Sequence, residues 1–587
     1  MVLRPPFILS DFVKITLIGV FVGVIAGIGA IIFHAMLELS THYFLGFAGF
    51  RPPDVSGEWS QPDPLKLLLV MTLGGLVCGL IVYTFAPEAE GHGTDEAIKA
   101  FHKKGGEVRA RVPIIKMIAS AITIGTGGSA GREGPIAQIS AGYGSIVAKI
   151  LKLTPRERRI ALAVGIGAGV GSIFKAPLGG AILSAEILYK RDFETEALVP
   201  SLIASIVGYT IFCAYDGYKP TFMFPEVHIL AHHIPFFILE GLICGVIGII
   251  YVITFYKTRG LFSKFFKMYN LPYILKPASG ALIACLVVVA VAKIYNPIAG
   301  YGALGMGYNF LQLAMLGLLP LSVMIVLAFV KIIATSLTIG SGGSGGVFAP
   351  GLVIGGMVGG AVGLIFHSIF PEFVTLDVVP AFVAVGMIAL FGGISKAPIS
   401  VLIMICEMTK NYELLLPGMA AVAVSYVVTG DYTIYSEQVN TRIDSPAHRY
   451  EMAIDLLEEV KVKDAMTRDV MTVTPDQTVG EVFRLIERTG HMGFPVLEDG
   501  KLIGIITFED IERVPLEERT KTKVRDVMTP NPITASPDDD LKSALEKMVI
   551  RGVGRLPVVE NGRLVGIITK GDIIKAYVRI KRKLGII

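Results

Sequence analysis

Long apolar runs separated by short polar breaks fill the first three quarters of the chain. Residues 12–37 and 66–86 are each long enough to cross a bilayer as a helix. Many later runs are shorter and cut by Gly or Pro: 113–124, 136–151, 160–174, 178–188, 377–391 and 397–409. Short paired segments in matching positions of two halves predict broken helices around a site near the bilayer midplane. Near residue 446 the pattern changes. Residues 446–587 mix charged and apolar positions and contain no run able to span.

Both regions contain a repeat. Gly125–Pro135 reads GTGGSAGREGP, and Gly340–Pro350 reads GSGGSGGVFAP. Lys116 pairs with Lys331, Thr123 with Thr338, Ser129 with Ser344 and Pro135 with Pro350, each 215 residues apart. Lys175-Ala176-Pro177 pairs with Lys396-Ala397-Pro398, and Glu186 with Glu407, each 221 apart. In this register Glu133 falls opposite Phe348. The second region repeats at an offset of 62: Val462–Thr467 matches Val524–Thr529, Gly504–Thr507 matches Gly566–Thr569, and Asp510 matches Asp572. Each copy reads helix, strand, turn at Asp499-Gly500 or Asn561-Gly562, strand, helix.

Gly125–Pro135 sets Glu133 in a glycine-rich break between the apolar runs 113–124 and 136–151. A charge at bilayer depth costs about 2.5–3.5 kcal/mol on insertion scales, so it marks a functional site. Pro135 suits the first position of a helix, where its missing N–H costs nothing. That puts Glu133 just ahead of a helix N-terminus, beside free N–H groups that bind anions. A tethered carboxylate and a free anion would compete for those donors. The alternative is a capping carboxylate paired with Arg132.

Composition narrows the class. The chain has 587 residues, 52% of them hydrophobic and 17% charged. Its mean hydropathy is +0.63. This describes a polytopic membrane protein with a more polar part. The net charge of +4 is small for the length and gives no sign of a nucleic-acid partner. Cys78, Cys213, Cys244, Cys285 and Cys406 stand singly in apolar runs, without metal-ligand spacing, and read as buried reduced thiols. No metal site is expected. Basic residues at 103–111, 152–159, 190–191 and 257–267 place those loops, the N-terminus and the polar tail in the cytosol of a multi-pass cell-membrane protein. On that count the 125–135 turn faces outward and the 340–350 turn inward, so the two halves are inverted.

These motifs resemble the CLC family of chloride channels and proton-coupled chloride transporters. Gly131–Pro135 (GREGP) and Gly346–Pro350 (GVFAP) are similar to two of its signatures, and Gly91-His92-Gly93 lies where the first is expected. Tyr435 resembles its final pore tyrosine. The tail resembles a tandem of CBS domains. The implied organisation is a transmembrane anion-transport domain over 1–445, with inverted repeats over about 12–215 and 230–430. A cytosolic CBS pair follows over 446–587, its copies at about 462–515 and 524–578.

The resemblance implies a homodimer with an anion pathway in each subunit, built from helix N-termini. Carried over by position, Glu133 is the gate and proton carrier. Gly91, His92, Gly93, Arg132, Gly134, Val347, Phe348, Ala349 and Tyr435 surround the anion. Two departures stand out. His92 and Asp95 replace a commoner Ser and Pro, and Ile187 takes the inner position where exchangers often carry a glutamate. Glu186 and Glu407 are expected to hold repeat-related structural hydrogen bonds. In the tail, Val462 and Val524 are expected to begin strands lining a nucleotide base. Thr507, Asp510, Thr569 and Asp572 flank two clefts for an adenine nucleotide, the only cofactor suggested and not a required one. The expected activity is chloride/proton exchange, with a gated chloride channel as the alternative. A membrane serine hydrolase (both glycine loops satisfy GxSxG) lacks a preceding strand. A nucleotide sensor without transport leaves Glu133 unexplained.

Overall fold

The computed structural model describes residues 11–54, 56–448 and 457–583. The chain divides into two compact units with the boundary after Ala447.

The first unit is all helical. Its helices are α1 (Asp11–Phe47), α2 (Pro64–Phe85), α3 (Thr94–Lys103), α4 (Arg111–Gly125), α5 (Glu133–Ile150), α6 (Pro155–Ile173), α7 (Pro177–Glu186) and α8 (Thr195–Asp216). They continue as α9 (Ile234–Met268), α10 (Leu275–Ile294), α11 (Pro297–Tyr301), α12 (Tyr308–Met315), α13 (Leu321–Gly340), α14 (Phe348–Ile369), α15 (Val379–Ser395), α16 (Pro398–Thr409) and α17 (Leu415–Thr429). Among the described residues, nine helical segments are long and apolar enough to cross a membrane. Helix α15 is apolar all round and buried along its whole length, as a central helix must be. Helix α1 instead exposes Leu17, Phe21, Ile25, Ile28 and Ile32, a face that only lipid satisfies. This is an integral membrane protein. Helices α1 and α8 touch backbone to backbone: a Cβ on Gly23 would come within 2.5 Å of the Ala204 carbonyl oxygen. The five cysteines are buried and free.

The two halves are built alike, down to single hydrogen bonds. Lys116 Nζ donates to the Ala89 and Gly91 carbonyls at 3.1 and 2.6 Å. Its twin Lys331 donates to those of Ala303 and Gly305 at 3.0 and 2.8 Å. Ser129 Oγ meets Thr335 Oγ1 at 2.9 Å, and Ser344 Oγ meets Ser120 Oγ at 2.9 Å. The acidic twins cap each other's helices. Glu186 accepts from Ile399 N–H, Ser400 N–H and Ser400 Oγ at the start of α16, at 3.1, 2.8 and 2.6 Å. Glu407 accepts from Leu178 and Gly179 N–H at the start of α7, at 3.1 and 2.8 Å. Both have the structural role expected of them.

The second unit carries a sheet ordered β1 (Gly493–Glu498), β2 (Lys501–Thr507), β5 (Arg563–Thr569), β4 (Arg555–Glu560), with the short β3 (Thr529–Pro530) on β2. Asp499-Gly500 and Asn561-Gly562 form the hairpin turns, with φ of 49°, 76°, 52° and 79°. Two consecutive positive φ values match the turn that strand twist favours. The segments before each copy cross over. Thr467 pairs with Ile567 of the second copy, and Thr529 with Ile505 of the first. Val462 and Val524 therefore do not begin strands. Val462 opens a single 3-10 turn and Val524 a four-residue helix, and each is fully buried in the core of the opposite copy. Their apolar side chains fill those cores.

Candidate functional site

The site lies where the N-termini of α3, α5 and α14 converge. Gly131 and Gly346 exchange both backbone hydrogen bonds, at 2.7 and 2.6 Å, which ties the two glycine loops together. Gly345 N–H donates to the Gly91 carbonyl at 3.2 Å, bringing in the loop before α3. Gly134 packs on that loop so closely that a Cβ would stand 2.2 Å from the His92 carbonyl oxygen. Gly91 and Gly93 turn the chain at φ of 73° and 84°, values that favour glycine. Three helix starts thus point unpaired N–H groups into one small volume.

Helix α5 begins at Glu133, two residues earlier than Pro135 predicts. The Gly131–Gly346 tie fixes the entering chain. Proline at the third position still costs no hydrogen bond, because the first four N–H groups of a helix have no intrahelical partner. Glu133 is 1% exposed. Tyr308, the first residue of α12, donates its hydroxyl to Glu133 Oε1 at 2.6 Å. The carboxyl also faces the backbone N–H groups of Glu133 and of Ala349, at the starts of α5 and α14. The pairing of Glu133 with Arg132 is not present. Arg132 Nη1 donates to His34 Nδ1 at 3.0 Å and Nη2 to the Ile173 carbonyl at 3.1 Å.

Phe348 stands at the repeat position of Glu133, its ring 4.9 Å from Phe174 and 4.1 Å from Phe391. Val347 is buried, and its carbonyl accepts from Tyr251 at 3.3 Å. Tyr435 is fully buried, its ring 5.5 Å from His92 and 6.5 Å from Phe391. Ile187 is buried at the end of α7, and its carbonyl accepts from Gln438 at 2.9 Å. The structure therefore gathers Gly91, His92, Gly93, Gly134, Phe348, Ala349 and Glu133 at one junction, with Tyr435 beside His92. Arg132 turns away toward α1 and α6.

Tyr308 is the residue that sequence reasoning missed. The signal existed: Gly305-Met306-Gly307 repeats Gly91-His92-Gly93 at an offset of 214, and Tyr308 follows it as Thr94 follows the first. In the second unit Thr507 and Asp510 bond to each other at 2.8 Å and line a cleft of about 500 Å³ together with Thr529, Asn531, Ile533 and Arg555. Thr569 and Asp572 form the same pair at 2.7 Å.

An inverted-repeat helical bundle whose helix starts converge on a buried carboxyl defines a class of membrane transporters and channels. Residues 74–430 match the family model described as voltage gated chloride channel, and residues 462–517 and 524–579 each match the CBS domain. The chain belongs to the voltage-gated chloride channel family, a family of channels and transporters rather than catalysts. The chloride channel protein CLC-f of Arabidopsis thaliana is 27% identical over 628 residues, spanning 94% of this chain and 77% of that protein. The H(+)/Cl(-) exchange transporter ClcA of Yersinia pestis bv. Antiqua (strain Angola) is 28% identical over 347 residues, 57% of this chain and 69% of that one. The crystal structure of a slow cyanobacterial Cl-/H+ antiporter superposes with a TM-score of 0.62 at 24% identity, covering 72% of this chain and 96% of that one. At that identity it shares the fold.

Proposed function

We propose that this protein exchanges chloride for protons across the membrane, as a homodimer with one pathway per subunit and Glu133 as gate and proton carrier. One observation carries this reading: a carboxyl group buried where three helix starts converge, one of them beginning at the residue that bears it. Its carboxylate occupies the donors a chloride ion would use, and protonation lets it leave. Partial charges at helix ends hold an anion loosely enough for it to pass on. The exchange named for the relatives accords with this role. The loops counted as cytosolic, and with them the N-terminus and the CBS pair, keep that side in this reading.

The decisive experiment uses liposomes with a chloride gradient and no pH gradient. An exchanger drives protons uphill. A reversal potential at the chloride equilibrium value without proton flux marks the channel reading, which Ile187 favours because it stands where the resemblance expects an acid, while the neighbouring Glu186 is taken up in capping α16. Glu133→Gln keeps the shape and cannot carry the proton. It is expected to conduct chloride with no proton coupling and no pH control. A mutant whose pH dependence matches the wild type removes Glu133 from this role.

A further inference from the structure

Arg132 stands next to Glu133 in the chain, is 8% exposed, and spends both terminal nitrogens elsewhere. Nη1 donates to His34 Nδ1 at 3.0 Å and Nη2 to the Ile173 carbonyl at 3.1 Å, while Nε has no hydrogen-bond partner among the described residues. A guanidinium only donates, so Nδ1 of His34 is the accepting nitrogen and Nε2 carries the hydrogen of the neutral ring. That hydrogen meets two carboxylates: Asp216 Oδ1 at the end of α8 lies 3.2 Å from Nε2, and Glu38 Oε1, one turn further along α1, lies 3.4 Å from it. Asp216 is anchored in turn by Lys175 Nζ at 2.8 Å. The ring stands edge-on to Phe212 of α8, with centroids 5.7 Å apart. The tautomer is thus fixed from both sides, and the bare lone pair is left for Arg132.

We propose, on the reading of Glu133 as the gate, that His34 is a positioning residue of that gate: its Nδ1 lone pair, with the Ile173 carbonyl, seats the Arg132 guanidinium away from the Glu133 carboxyl and so sets the pH at which the gate opens. A side chain of arginine length on the adjacent residue reaches the carboxyl once one of its two seats is lost. An opposite charge that close favours the carboxylate over the acid. The carboxylate is the form that blocks the anion, so a guanidinium resting on it holds the gate shut until the solution is more acidic. The seat belongs to the neutral ring, because a charged ring carries hydrogen on Nδ1 and presents it to a second donor. The charged groups that face the imidazole are Glu38 from α1, Asp216 from α8 with Lys175 of the α6–α7 loop behind it, and Arg132. Tyr308 of α12 bonds the carboxyl, and Lys331 of α13 and Tyr435 lie within electrostatic reach of it; none of the three touches His34. The chain alone does not join His34 to Arg132, 98 residues away. Only the packing of α1 beside the glycine loop does.

Chloride flux against pH, measured in liposomes holding the full-length protein, tests this. His34→Phe keeps a ring beside Phe212 and loses the lone pair. Its pH of half-maximal flux is expected to fall by about one unit. His34→Asn, whose side-chain oxygen takes the place of Nδ1, is expected to keep the wild-type midpoint. His34→Leu, also without an acceptor, decides the question where the phenylalanine ring does not fit. Arg132→Gln removes the link between histidine and gate, and in that background His34→Phe is expected to move nothing. A midpoint unmoved or raised by both His34→Phe and His34→Leu, an asparagine variant that shifts as far as they do, or a shift that persists in Arg132→Gln overturns the proposal. Wild-type pH dependence surviving in Glu133→Gln overturns the gate reading instead, whatever the histidine variants do.

Discussion

A buried carboxyl keeps one position only while something holds it, and for Glu133 that is the Tyr308 hydroxyl at 2.6 Å. Tyr308→Phe removes the donor and keeps the ring, which packs on Phe222 at 5.2 Å. A hydrogen bond to a carboxylate contributes about 1.5–3 kcal/mol, so the closed gate becomes about ten- to a hundredfold less favoured. Chloride flux in liposomes should rise by up to that factor at fixed pH, and a rate equal to wild type would show that the bond does not restrain the gate. Glu133 was legible in the sequence because a charge inside an apolar run has no cheap explanation. Tyr308 was not, because a tyrosine at the start of a short helix 175 residues away carries no local mark. Only the register of Gly305–Gly307 on Gly91–Gly93 points to it. Asp95 was seen as a departure from a motif, and its partnership with His92 emerges only when α3 folds and brings the two together.

At the scale of elements, the repeat was readable as spacing and its purpose was not. Two lysines 215 residues apart turn out to clamp matching carbonyl pairs. Two glutamates 221 apart cap the helices of each other's half. The exchange of caps binds α7 to α16, the pair that the Lys-Ala-Pro segments start. Glu186→Ala strips the acceptor from the buried Ser400 N–H and from the half-buried Ile399 N–H, while Ser400 Oγ keeps the Ala397 carbonyl at 3.2 Å. Each buried donor left unpaired costs about 1–3 kcal/mol, so the loss in stability is expected to be at least of that size. Thermal unfolding in detergent reads it. Equal midpoints for Glu186→Ala and wild type would show that the caps do not bear on stability. The error over Val462 and Val524 has a similar origin. A short apolar-charged segment reads as strand or turn alike, and only the crossing-over of the two copies decides that these valines fill cores.

For the whole molecule, the two CBS copies share a fold yet differ in what their clefts offer a nucleotide. Beside Thr507 and Asp510 the described cleft presents Asn531 and Arg555, with Arg513 nearby. The residues 62 positions earlier, which by the repeat belong beside Thr569 and Asp572, are Asp469 and Gly493. One cleft therefore offers a guanidinium to a phosphate where the other offers a carboxylate and no side chain. Arg555 is held in place, since Nη1 donates to the Gly493 carbonyl at 3.2 Å. The expected stoichiometry is one adenine nucleotide per chain, bound at the Thr507–Asp510 cleft, the carboxylate of Asp510 accepting from the ribose. Arg555→Ala removes a charge-assisted contact of about 1.5–3 kcal/mol, a loss of about ten- to a hundredfold in affinity. Asp469→Asn should leave that affinity unchanged. Calorimetric titration of the full-length protein with ATP, ADP and AMP checks both. Two equal sites, or no heat with any of the three, would refute the asymmetry. A bound nucleotide acts on transport only through a difference in affinity between two states of the membrane unit. Chloride flux in liposomes with and without nucleotide should therefore change in the wild type and not in Arg555→Ala at a concentration that fills only the wild-type site.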